Sequence, residues 1–206
     1  MCGIIGYTGS EDVREVLLDA LELLEYRGYD SAGIALRDEE SGKTEVRKCA
    51  GRVSDLRAIC ASEKVVSQCG IGHTRWATHG GVNDCNAHPH QVGKVTLVHN
   101  GIIENFLPLK EFLLKQGKTF RSETDTEVIA NLLEYYYEQE NDLMKAVRLT
   151  LGRIEGSYAL GILCADRPDS MIAVKKDSPL IFGFGEGENF LSLIHISEPT
   201  RLGMIS

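Results

Sequence analysis

Apolar residues recur along this chain with two different periods. Val13, Val16, Leu17, Ala20, Leu21 and Leu24 share one face of a 3.6-residue repeat and predict a helix between Ser10 and Arg27. Gly9-Ser10 offers its N-cap, and the acidic pair Glu11-Asp12 suits the positive end of its dipole. Arg27-Gly28 closes it with a glycine able to take the left-handed conformation. Ahead of this helix Ile4-Ile5, flanked by Gly3 and Gly6, reads as a short buried strand. Residues 31–37 and 44–49, joined by a polar turn with Ser41-Gly42, predict a β-hairpin, and 52–61 a weaker helix.

Three further helices follow. Residues 105–116 carry Phe106, Leu109, Phe112 and Leu113 on one face, with Pro108 tolerable only in the first turn. Residues 124–139 carry Val128, Ile129, Leu132, Leu133 and Tyr136, and 142–154 carry Leu143, Ala146, Val147 and Leu151. Strand-like runs at 158–164, 171–175 and 180–184 come last, separated by Gly and Pro turns. Strand pairs, then helices, then more strands predict an antiparallel α+β domain rather than a βαβ series. From Cys69 to Gly101 the texture is different: Gly, His, Thr and Asn crowd together around one predicted strand at 94–99. Binding residues concentrate on loops carried by a rigid scaffold, so this stretch reads as the body of a site.

The 206 residues suit one domain, and the formal charge of −8 argues against a general nucleic-acid binder. No apolar run approaches the roughly 20 residues of a membrane helix, and the N-terminus lacks a secretory signal pattern, so the expected compartment is the cytosol. The six Cys show no CxxC pair and are expected to be reduced. Cys2 alone stands where reactivity is expected. Removal of Met1 would leave a thiol and a free α-amine on one residue. With ordinary pKa values of about 8.5 and 7.7–8.0, each can relay a proton for the other.

Six ordered blocks carry a family resemblance: Cys2-Gly3-Ile4-Ile5-Gly6, Glu25-Tyr26-Arg27-Gly28-Tyr29-Asp30-Ser31-Ala32-Gly33, His73-Thr74-Arg75-Trp76-Ala77-Thr78-His79-Gly80, Asn86-Ala87-His88-Pro89-His90, His99-Asn100-Gly101-Ile102-Ile103-Glu104-Asn105 and Ser122-Glu123-Thr124-Asp125-Thr126-Glu127. Together they resemble the glutaminase domain of the glucosamine-6-phosphate synthases, class II (N-terminal-nucleophile) glutamine amidotransferases. Tyr-Arg-Gly-Tyr-Asp-Ser and Arg-Trp-Ala-Thr-His-Gly are similar to this branch rather than to the phosphoribosyl-pyrophosphate branch.

The resemblance implies a four-layer αββα sandwich of two antiparallel sheets over residues 2–190, with 191–206 a read-through or appended tail and the C-terminal sugar isomerase half absent. It also implies hydrolysis of L-glutamine through a Cys2 thioester, with no cofactor. Fructose-6-phosphate would be met only through the missing half, and the full-length protein would be a homo-oligomer. Asn100 and the Gly101 N–H are the implied oxyanion donors. Arg75, Thr78 and His79 are the implied site for the substrate carboxylate, and Asp125 the partner of its ammonium. Arg27 and Gly28 would position the Cys2 loop, and Trp76 would gate the cleft. Read from the residues alone, Asn100-Gly101 is first a turn, Asp125 a first-turn helix carboxylate, and Trp76 a core residue. A metal cluster of His79, Cys85, His88, His90 and His99 fits no zinc spacing, and His88-Pro89-His90 would splay its rings along an extended segment. A silent regulatory module and a class II enzyme with another acceptor are the remaining alternatives.

Overall fold

A computed structural model describes residues 2–61, 65–77 and 80–193. Among the described residues, ten strands form two antiparallel sheets. The first has the order β3 (Thr44–Ala50), β2 (Ser31–Arg37), β4 (Cys69–Arg75), β1 (Gly3–Thr8), β10 (Asn189–Ser192), β9 (Ile181–Phe184). The second runs β5 (His90–Val92), β6 (Val95–Ile103), β7 (Gly156–Cys164), β8 (Arg167–Lys176). Helices α1 (Val13–Leu24) and α2 (Val53–Cys60) cover the first sheet, and α3 (Phe106–Lys115), α4 (Asp125–Glu140) and α5 (Leu143–Leu151) the second. The fold is the α+β, four-layer αββα sandwich.

Three apolar cores correspond to the three interfaces between layers. Strand alternation sorts β1: Ile5 and Tyr7 join Val13, Leu17 and Leu21 of α1, while Ile4 faces the second sheet with Ile71, Val98, Ala159 and Leu163. On the far side Leu97, Leu160 and Ile162 pack under Leu113, Ile129, Leu133 and Val147. Helix α4 lies deepest, and its residues 125–134 are all buried.

Several elements differ from the pattern-based expectation. Strand β4 is fully buried and central, although its sequence Cys-Gly-Ile-Gly-His-Thr-Arg reads as loop. A Cβ at Gly70 would stand 2.7 Å from Val13 Cγ1, so the absent side chains are what lets α1 press onto the sheet. Strand β6 runs on to Ile103, so Asn100 and Gly101 lie inside the ladder opposite Ala159 and Tyr158 rather than in a turn. The cap of α1 is Asp12, whose carboxylate accepts the Arg14 and Glu15 N–H groups, rather than Gly9-Ser10. The fold also continues past the expected boundary at 190. Leu191 and Leu193 are buried and Leu193 N–H donates to the Ile4 carbonyl at 3.2 Å, while 194–206 lie outside the described residues.

A polar seam interrupts the apolar interior below the ends of β1 and β4. His73 Nε2 lies 3.0 Å from the His99 carbonyl oxygen, and the His73 ring stacks on His88 with centroids 4.2 Å apart. His88 Nε2 and His99 Nδ1 converge on Thr126 Oγ1 at 2.7 and 3.0 Å, and His90 Nε2 lies 3.0 Å from Thr124 Oγ1. Burial disfavours the charged imidazoles, pushing His73 down to about 3 and holding His88, His90 and His99 below their ordinary value as well.

Exposed histidine titrates near 6.5, so below that pH the unfolded chain binds protons that the fold refuses. The contribution of these histidines to stability is therefore complete above about pH 6.5 and is lost as pH falls below it, in the case of His73 down to about 3. Urea midpoints are expected to fall steadily between about pH 7 and pH 5; a flat profile would mean that these rings titrate alike in both states.

Candidate active site

Strand β1 is held on both sides, by β4 through Gly3↔Thr74 to Thr8↔Cys69 and by β10 from Ile5↔Ser192 onward. Cys2 therefore emerges at the end of β4. Its Sγ accepts the Trp76 N–H at 3.4 Å and lies 3.8 Å from the Trp76 carbonyl oxygen. The Arg27 Nε–H donates to the Cys2 carbonyl at 3.3 Å. Gly28 does not take the left-handed conformation; it is extended, at φ −171°. It is needed for proximity, because a Cβ there would stand 2.7 Å from the Arg75 carbonyl carbon and 2.9 Å from Trp76 N. Asp30 completes the clamp: its carboxylate accepts the Ala77 N–H at 2.8 Å and its own N–H donates to the Arg75 carbonyl at 3.1 Å. Burial pushes the Cys2 thiol up, opposed by the Trp76 N–H and by the charges of Arg75 and Arg27.

The second sheet and α4 supply the opposite wall. Gly101 has φ +134°, where a side chain would collide with the Ser157 carbonyl oxygen. Thr124 caps α4 by accepting the Glu127 N–H at 3.3 Å, and Glu127 in turn accepts the Arg121 and Ser122 N–H groups. This fixes Asp125 in the first turn, where Oδ2 accepts the Ile103 N–H at 2.9 Å. Arg75 is buried and donates to the Gly81 and Gly80 carbonyls at 3.2 and 3.4 Å. That loop is held by Asn86 and Glu123: Asn86 Nδ2–H donates to Glu123 Oε2 at 3.1 Å, and Glu123 N–H to Asn86 Oδ1 at 2.9 Å.

Between the walls lies a small cleft of about 320 Å³, its open mouth included. Cys2, Arg75, Trp76, Gly101 and Asp125 line it together, joined by His88, His99, Thr124 and Thr126. A thiol, a guanidinium and a carboxylate thus face one small volume, a set able to bind a zwitterion and attack it. Asn100 is half-buried one residue before Gly101 and is not among the described lining residues. Trp76 is no core residue: it is 45% exposed at the mouth and meets Tyr29 edge-on at 5.6 Å. Thr78 and His79 lie outside the described residues.

Asp30, Thr126, His88 and His99 have roles in this site that the sequence does not show. His88 and His90 do not splay; their rings meet edge-to-face at 4.8 Å. Among the described residues no three His, Cys, Asp or Glu side chains converge as a metal-binding group. The capping Thr124-x-x-Glu127 signal ahead of an apolar run was available to locate Thr126; nothing local linked it to His88 and His99, which arrive from other elements.

The likeness to known proteins agrees with this geometry. Residues 36–198 match the family model of the glutamine amidotransferase domain. A glutamine–fructose-6-phosphate aminotransferase (isomerizing) of Caldanaerobacter subterraneus subsp. tengcongensis is 54% identical over 93% of this chain and 31% of its own length. One of Thermococcus kodakarensis is 52% identical over 92% and 32%. The chain thus spans about a third of the length of these curated relatives. Among solved structures, glutamine phosphoribosylpyrophosphate amidotransferase from B. subtilis, complexed with ADP and GMP, superposes with a TM-score of 0.79 at 27% identity, over 93% of this chain and 41% of that one. The chain belongs to the glutamine amidotransferase domain family.

Proposed function

We propose that this chain hydrolyses L-glutamine to glutamate and ammonia, as the ammonia-supplying part of a glutamine–fructose-6-phosphate aminotransferase in amino-sugar synthesis. The observation that carries the reading is the convergence of Cys2, Arg75 and Asp125 on one small cleft. The 48–54% identity to aminotransferases of that name, against 27% to a glutamine phosphoribosylpyrophosphate amidotransferase, supports the acceptor assignment. In this reading, synthesis of the amino sugar would fall to the two-thirds of those relatives that this chain does not span. Six free cysteines fit a reducing, cytosolic setting.

In the proposed reaction Arg75 meets the substrate α-carboxylate through its planar guanidinium, together with Thr78 and His79, and Asp125 meets the ammonium. With Met1 removed, the Cys2 α-amine takes the thiol proton as sulfur attacks the δ-carbonyl carbon. The Gly101 N–H and Asn100 stabilise the tetrahedral oxyanion. Collapse breaks the C–N bond, the amine returns its proton to the departing nitrogen, and a γ-glutamyl thioester remains. Water then attacks the thioester, giving its proton to the amine and releasing glutamate and the thiol. Burial opposes a standing thiolate at Cys2, and the neighbouring amine is the group placed to take the proton as the bond forms. Trp76, at the mouth and edge-on to Tyr29, is suited to cover the cleft.

Intact mass is expected to show loss of Met1, and Cys2→Ala to abolish glutamate release from L-glutamine; release that survives the substitution would sink the mechanism. Asn100→Ala is expected to lower kcat roughly 10²-fold or more, as loss of one oxyanion donor does elsewhere. A loss under about fivefold would leave the Gly101 N–H as the effective donor. Asp125→Asn is expected to raise KM for glutamine by roughly 10–100-fold, the cost of a charged partner, and an unchanged KM would remove Asp125 from ammonium recognition.

A further inference from the structure

We propose that Thr126 is a positioning residue that aims the Asp125 carboxylate at the substrate ammonium, held in that role by His88 and His99. The inference rests on the reading of Asp125 given above and adds the means by which its free oxygen is set. Asp125 Oδ2 is committed to the Ile103 N–H, which leaves Oδ1 for a ligand. Oδ1 lies 3.5 Å from Thr126 Oγ1 and 3.8 Å from His99 Nδ1.

Proton counting decides how these groups are arranged. A hydroxyl has one proton to give and two lone pairs to accept with. Thr126 Oγ1 has three polar neighbours: His88 Nε2 at 2.7 Å, His99 Nδ1 at 3.0 Å and Asp125 Oδ1 at 3.5 Å. A carboxylate oxygen only accepts, so the arrangement that satisfies all three has both imidazoles donating and the hydroxyl proton directed at Asp125. It puts the single proton of His88 on Nε2 and that of His99 on Nδ1.

The opposite ring atoms agree with this. His88 Nδ1 and His99 Nε2 are buried without a hydrogen-bond partner among the described residues. In the arrangement above they are bare lone pairs. In the reverse one, with Thr126 donating to a ring, that ring would carry a buried N–H with no acceptor, and Asp125 Oδ1 would lose the hydroxyl as donor. His73 follows the same logic: its Nε2 faces a carbonyl and must donate, and its unpartnered buried atom is again the other nitrogen, Nδ1. Two neutral rings thus fix one hydroxyl, and the hydroxyl fixes the oxygen that meets the substrate.

The test pairs steady-state kinetics with ¹⁵N-imidazole spectra of the wild-type chain. Thr126→Val keeps the shape and removes the proton and lone pairs. It is expected to raise KM for L-glutamine roughly tenfold while kcat stays within about threefold, and Thr126→Ser is expected to restore KM. A folded Thr126→Val with wild-type KM would overturn the proposal. The spectra are expected to show neutral rings at neutral pH, protonated on Nε2 at His88 and on Nδ1 at His99. The other tautomer at either ring would overturn it even if Thr126→Val fails to fold. A wild-type chain that releases no glutamate, or a Cys2→Ala chain that does, counts against the glutaminase reading instead, and the spectra still decide the arrangement of the network.

Discussion

The site depends on one constraint, the pairing of β1 with a neighbour on each side. A residue next to a chain terminus is ordinarily frayed, because nothing offsets the entropy of ordering it. Here Gly3 to Thr8 are bonded to β4, and β10 joins from Ile5, so the residue just before Gly3 inherits the rigidity of the sheet interior. Clamping by Arg27, Gly28 and Asp30 then locates the thiol against the Trp76 amide. Stacking of the second sheet on Ile4 and Ile71 brings Gly101 and the start of α4 opposite.

The second requirement is that polar groups be buried without leaving a charge or an N–H unpaired. The seam beneath the cleft consists of imidazoles and hydroxyls, which can be neutral and still donate and accept, rather than of carboxylate–ammonium pairs. Such a seam tolerates the low-dielectric interior that favours the chemistry above it. It makes the region dependent on a few directional contacts, since each group has few alternative partners.

The α+β class and most elements could be read from periodicity, because α1, α3 and α5 bury one consistent stripe and β2 and β3 flank a polar turn; the four-layer arrangement was implied only by the family resemblance. What escaped was β4, whose Gly70 and Gly72 supply no hydrophobic pattern and whose value lies in how closely α1 approaches. The ladder around Asn100-Gly101 escaped as well, since a dipeptide that usually turns is here overruled by nine pairings with β7. For the site, residue types that chemistry demands were legible: a terminal thiol, an arginine, an acid at a helix start. Asp30, Thr126, His88 and His99 were not, because their roles come from partners 27 to 47 positions distant or from proton counts that only geometry supplies.

Trp76 is the chain's one tryptophan, and it lies half-exposed at the cleft mouth, with its own amide on the Cys2 sulfur. The intrinsic fluorescence of this protein is therefore a local optical report on the state of the cleft. Two of the three apolar cores hold tyrosine and phenylalanine, the one between the sheets holds neither, and none holds the indole, so their melting is reported by far-ultraviolet dichroism rather than by tryptophan emission.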